Sequence, residues 1–134
     1  MVARILLAAA SSYTIALTVL SLVSLGKISI GSFNPTDKMM HSGAYFLLVV
    51  IWMLYIVFRE SNFSRYRANL LKVSGMAVLF GMLIEVLQGS FTSYRQPDWY
   101  DILANTTGVL FAAVSLLIFK NLLKRLKSKI NLVF

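Results

Sequence analysis

The chain has 134 residues, of which 58% are hydrophobic and only 13% charged, and its mean hydropathy is +0.76. That is too little charged surface for a soluble domain of this length and describes a single membrane bundle with no second domain. Cysteine is absent, which excludes disulfides, thiol nucleophiles and thiolate metal sites, while the formal charge of +8 matters through its placement along the chain.

Four apolar segments, residues 5–25, 39–58, 70–87 and 102–119, are each near the ~20 residues needed to cross a bilayer core. The expected fold is all-α: one integral membrane bundle of four transmembrane helices spanning residues 1–134, with a basic tail over 120–134. The first segment is read as a retained helix, because its apolar run exceeds the ~7–15 residues of a signal-peptide core. Ala8, Ser12 and Ala16 form a small-residue ridge on it that predicts close packing. Lys72, one turn inside the third segment, can snorkel to the interface.

Basic residues predict the orientation. With the N-terminus cytoplasmic, the inner side receives Arg4, Arg59, Arg65, Arg67, Lys72, Lys120, Lys124, Arg125, Lys127 and Lys129. Only Lys27, Lys38 and Arg95 remain outside. Both termini are therefore expected in the cytoplasm, and the tail is expected along anionic headgroups. The charge bias is explained by the membrane, so nucleic acid is not an expected partner.

This topology gathers polar residues at one depth. The acids Asp37, Glu85, Asp98 and Asp101 all fall on or just below the outer face, leaving only Glu60 inside. Glu85 is expected ~22 Å from the start of its segment and Asn105 ~12 Å below the start of the fourth. Ionisable groups inside membrane spans cost free energy and mark function by default.

Spacing puts each set on one helical face. Asp37, His41 and Tyr45 are four apart; Gly81 and Glu85 are four apart, with Gln88 three further on. Asp98, Asp101, Asn105 and Gly108 step by three, four and three, and Ala104, Gly108 and Ala112 form a second small-residue ridge. Asn34, Thr36 or Asp37 can cap the second helix, and Pro97 suits the first turn of the fourth. Phe91, Tyr94, Trp99 and Tyr100 are read as an interfacial aromatic belt, with a ligand lining as the sharper alternative.

These residues carry a resemblance. Asp37-Lys38-x-x-His41-x-x-x-Tyr45, then Gly81-x-x-x-Glu85-x-x-Gln88, then Phe91, Arg95 and Asp101-x-x-x-Asn105-x-x-Gly108 resemble the VanZ-like family of small membrane proteins. The likeness spans residues 37–108; the first helix and basic tail match only in general character, and Asp98 lies outside its strongest part. It implies a multi-pass membrane protein in a family whose founding member confers low-level resistance to teicoplanin-type glycopeptides. It implies no accepted biochemical mechanism.

The expected ligand site comprises Asp37, Lys38, His41, Tyr45, Glu85, Gln88, Arg95, Asp98, Asp101 and Asn105, with His41, Glu85 and Asp101 as candidate catalytic groups. Acids supply acceptors, Lys38 and Arg95 suit a phosphate, and histidine moves protons near neutral pH. The expected cofactor is none. With one histidine and no cysteine zinc is disfavoured, and an oxygen-ligated calcium, magnesium or manganese ion is the weaker variant. Expected partners are membrane lipids and a lipid-linked cell-wall precursor or lipoglycopeptide, and the bundle is compatible with a homo-oligomer. A binding role and an enzyme acting on a lipid-linked or phosphorylated envelope substrate both stay open. So does mutual neutralisation within the cluster, with Asp37 on Lys38 or Asp101 on Arg95. A transporter is disfavoured, since no broken-helix pair or selectivity loop is visible.

Overall fold

A computed structural model describes residues 1–23, 37–91 and 98–133. Among them the chain is all-helical. Helix α1 spans Val2–Leu22, α2 Asp37–Arg59, α3 Tyr66–Phe91, α4 Trp99–Ile118 and α5 Lys120–Val133, with a 3-10 turn over Phe63–Arg65 before α3. Four of them, α1 to α4, are long and apolar enough to cross a membrane.

Burial follows sequence spacing. On α2 the buried residues are Tyr45, Leu48, Val49, Met53 and Val57, stepping by three, one, four and four along one face. They meet Tyr66, Leu70, Val73 and Ala77 of α3 and Val109, Ala112 and Leu116 of α4 in one core. The opposite faces expose Leu71, Met76, Leu79, Leu83, Leu110, Phe111, Val114 and Ile118. An apolar exterior around an apolar core is the arrangement a hydrocarbon solvent permits.

Helices α2 and α4 run in the same direction and pack most closely. Their contact passes through Gly108, where a Cβ would lie within 2.8 Å of the Ser42 carbonyl carbon. Only a residue without a side chain lets the two backbones approach this far. Ala112, one turn further along, is fully buried, so this predicted ridge is used. The antiparallel α3 is tied across by the Tyr66 hydroxyl, which donates to the Leu116 carbonyl at 2.7 Å.

The ridge predicted on α1 is corrected. Ala8, Ser12 and Ala16 face outward, and the packed face carries Ala10, Tyr13, Thr14 and Leu17. The Tyr13 hydroxyl donates to the Ala44 carbonyl at 2.9 Å, and Trp52 Nε1 donates to Thr14 Oγ1 at 3.1 Å. Polar side chains in a dry bundle need partners, and α1 turns the face that supplies them inward.

The basic tail is a helix. At Phe119 the chain leaves α4, and Lys120–Val133 reaches the end of α2 at Glu60 and the start of α3 at Tyr66. Lys127 is buried there and donates to the Glu60 carbonyl, while Glu60 Oε2 accepts from Asn69 Nδ2 at 2.8 Å.

Candidate functional site

The polar residues singled out in the sequence converge at the end of the bundle where α2 and α4 begin. Helix α4 starts there because Asp98 caps it: its Oδ1 accepts from the Tyr100 backbone N–H at 2.8 Å. The helix therefore opens at Trp99, and Pro97 lies outside the described residues, as do Asn34 and Thr36. Asp37 stands in the first turn of α2, where its charge suits the helix N-terminus.

Lys38 is the cation at the centre. Its ammonium donates to Asp98 Oδ2 at 2.5 Å and also to Asp101 Oδ1. Asp101 is almost fully buried, so its carboxylate depends on that ammonium, whereas Asp98 is about half exposed. The Lys38 ammonium, with the Tyr100 N–H, holds the Asp98 carboxyl below the usual carboxylate range. This is not a neighbour pairing of Asp37 with Lys38. Adjacent helical residues point apart, and Lys38 reaches across to α4 instead.

His41, one turn below, is mostly buried between the same two helices. Its Nδ1 lies 3.0 Å from Asn105 Oδ1, so with the amide in this orientation Nδ1 carries the proton. Nε2 faces Asp101 Oδ2 at 3.7 Å and Asp37 Oδ1 at 3.9 Å. A ring nitrogen and two carboxylates facing one another form a set of electron-pair donors of the kind that suits a shared cation. The ligand atoms of Asp37, His41 and Asp101 lie within 4.8 Å of one another, close enough to share one ion. The adjoining Lys38 ammonium puts a positive charge beside any such ion.

Helix α3 closes the third side. Glu85 and Gln88 are buried; Glu85 Oε2 lies 3.4 Å from the Asp98 backbone N–H, and Gln88 Nε2 donates to the Ser21 carbonyl of α1 at 2.7 Å. Gly81 provides the space: a Cβ there would meet Tyr45 Cε1 at 3.1 Å and Asn105 Nδ2 at 3.2 Å. Tyr45 and Asn105 are each 1% exposed, and neither the Tyr45 hydroxyl nor Asn105 Nδ2 has a hydrogen-bond partner among the described residues. A buried polar atom without a partner is costly, so these two are ready to take a water or a ligand atom.

Nine of the ten expected ligand residues thus lie at this end of the bundle, around the α2–α4 contact and the facing end of α3. Arg95 lies outside the described residues, together with Tyr94, and so does its expected pairing with Asp101. Trp99 and Tyr100 are 80% and 70% exposed, turned away from the cluster as belt residues are. Sequence reading did not anticipate Ser42, whose backbone receives Gly108, nor Ser21, whose carbonyl fixes Gln88. Neither has a sequence signal, because both contribute main chain.

A family model described as VanZ/LLP1 matches residues 5–120. No curated protein and no solved structure matches the chain. The match covers α1 to α4 and most of the length, so this multi-pass membrane protein belongs to the VanZ/LLP1 family.

Proposed function

We propose that this VanZ/LLP1-family protein binds a cell-envelope ligand in the polar end of its bundle, from the extracytoplasmic side of the cell membrane. The observation that carries the reading is the Lys38–Asp98–Asp101 group, joined to His41 and Asn105, at one end of a bundle whose helices turn apolar faces outward. Charged groups are expensive at this position and persist where they are used. The inward bias of basic residues supports the outer placement.

Lys38 already serves two carboxylates, so a ligand phosphate would compete with them for its ammonium. Among the described residues of this end the acids Asp37, Glu85, Asp98 and Asp101 outnumber the one lysine, Lys38. That balance favours a ligand presenting an ammonium or other cationic group, as well as hydrogen-bond donors. A lipoglycopeptide or a lipid-linked cell-wall precursor presented at the membrane meets this description. Contribution to teicoplanin-type resistance is the functional consequence we assign.

The test is drug susceptibility. A sensitive Gram-positive host expresses the protein, Glu85→Gln or Asp101→Asn at equal membrane levels, and teicoplanin and vancomycin susceptibility are measured. Protection against teicoplanin that both variants lose supports the reading. Protection that both variants retain removes the cluster from the function, and no protection from the unsubstituted chain removes the drug-linked role.

A second reading is a membrane enzyme acting on a lipid-linked or phosphorylated envelope substrate. It is favoured by His41, which is held by Asn105 on one nitrogen and faces two carboxylates with the other, the layout of a proton-transfer group. Turnover of a lipid-linked substrate by purified protein, lost in His41→Ala, would select it. Binding without turnover selects the first.

A further inference from the structure

Helix α5 has two faces with different tasks. Lys120, Leu123 and Lys127 step by three and four and dock on the bundle. The Lys120 ammonium sits over the rings of Phe63 and Tyr66, at 5.9 and 5.6 Å from their centroids; Leu123 packs on the core; Lys127 holds the Glu60 carbonyl. This fixes the helix against the end of the bundle opposite the polar cluster.

The rest of its surface is left exposed. Phe119, just before the helix, with Leu122 and Leu126 forms an apolar ridge, 55%, 51% and 42% exposed. Arg125 and Lys129 are exposed beside it, and Lys124 is exposed further round the helix. No acidic residue follows Asp101 in the sequence, so nothing within this part of the chain neutralises them. The ridge continues the exposed apolar surface of α4 through Val114 and Ile118. A helix docked on one side, apolar on the next and basic beyond that fits the boundary between acyl chains and headgroups.

We propose that α5 lies along the bilayer surface as an anionic-phospholipid site: Phe119, Leu122 and Leu126 enter the acyl boundary while Lys124, Arg125 and Lys129 take headgroup phosphates. The exposed apolar ridge, continuous with a membrane-spanning surface, is what selects a lipid over a nucleic acid. The docking contacts hold α5 in place without help from the lipid, so its exposed cations are positioned before binding.

The experiment reconstitutes the full chain in nanodiscs of phosphatidylcholine mixed with phosphatidylglycerol and counts retained lipids by native mass spectrometry. Three proteins are compared: the unsubstituted chain, Lys124→Gln/Arg125→Gln/Lys129→Gln, and a control with Arg67→Gln/Lys72→Gln, two exposed cations of α3 at the same end. The expected result is enrichment of phosphatidylglycerol on the unsubstituted chain and on the control, reduced about tenfold or more in the α5 variant. Equal retention of the two lipids by the unsubstituted chain overturns the proposal. Equal loss in the control overturns it too, by showing that any basic residue at this end suffices. Enrichment undiminished in the α5 variant overturns it as well.

Discussion

Lys38 and Asp101, 63 positions apart in sequence, form the ion pair that joins the first turn of α2 to the first turn of α4. The pair sits directly above the Ser42–Gly108 contact, so the closest backbone approach and the strongest electrostatic contact lie within two turns of each other. Asp98 shares the same ammonium. Among the described residues Lys38 is the lysine or arginine paired with these two carboxylates.

Replacing Lys38 exposes that dependence. Lys38→Met keeps the aliphatic stem but leaves the nearly buried Asp101 carboxylate beside Asp98 without its cation. We expect a loss of about 2 kcal/mol, below the ~3–5 kcal/mol of a fully buried pair because the Lys38 side chain is 41% exposed. Millimolar calcium or magnesium should recover part of the lost thermal stability in the variant and leave the unsubstituted protein nearly unchanged. Thermal unfolding in detergent with and without the ion reads this directly. A variant as stable as its parent would show that Lys38 contributes nothing net.

Asp98 gives the pH dependence. Its carboxyl is held below the ordinary range by Lys38 and the Tyr100 N–H. A depressed folded-state value means that its contribution is complete above the unfolded carboxylate value of about 3.9 and is lost as pH falls through the folded value. Asp98→Asn should therefore show a smaller loss of melting temperature between pH 5 and pH 2.5 than the parent. Parallel profiles for the two proteins would remove Asp98 from the acid response.

Much of this arrangement is legible in the sequence, and the unread parts share a cause. Four apolar runs give the four long helices, and the three- and four-residue steps place Asp101, Asn105 and Gly108 on one face. The partner of Lys38 is not legible. Local spacing suggests Asp37, but which helices adjoin decides the matter, and α2 lies against α4. The face of α1 is misread because small residues suggest packing, whereas Tyr13 and Thr14 hold the hydrogen-bonding groups that settle it. Helix α5 reads as a basic tail because its three-four step of Lys120, Leu123 and Lys127 docks lysines, which periodicity arguments count as solvated.

Two glycines on the facing helices should respond oppositely to the same substitution. A Cβ at Gly108 collides with the Ser42 backbone, which cannot rotate away as a side chain would, so α2 and α4 must separate. Gly108→Ala should cost about 1–3 kcal/mol and disturb the Lys38–Asp101 pair above it. A Cβ at Gly43 meets nothing within 4 Å, and Gly43→Ala should gain up to about 0.5–1 kcal/mol from the restricted unfolded chain. Denaturation of both variants in the same detergent gives the comparison. Equal effects would mean that the α2–α4 crossing is not set by Gly108.

The attachment of α1 rests on polar contacts that can be measured pairwise. Trp52 Nε1 donates to Thr14 Oγ1 at 3.1 Å, on the packed face of α1 that also carries the Tyr13–Ala44 hydrogen bond to α2. The Thr14 hydroxyl in turn donates to the Ala10 carbonyl at 2.8 Å, so its oxygen is oriented to receive the indole. Removing one partner removes the bond, and removing the second then costs nothing more on its account. A double-mutant cycle of Thr14→Val and Trp52→Phe should therefore give a coupling energy near 0.6 kcal/mol, the usual size of an interhelical hydrogen bond in a membrane. Unfolding in mixed detergent–denaturant micelles supplies the four stabilities. Strict additivity would mean that Trp52 holds α1 by ring packing alone, leaving Tyr13 and Gln88 as its polar ties to the bundle.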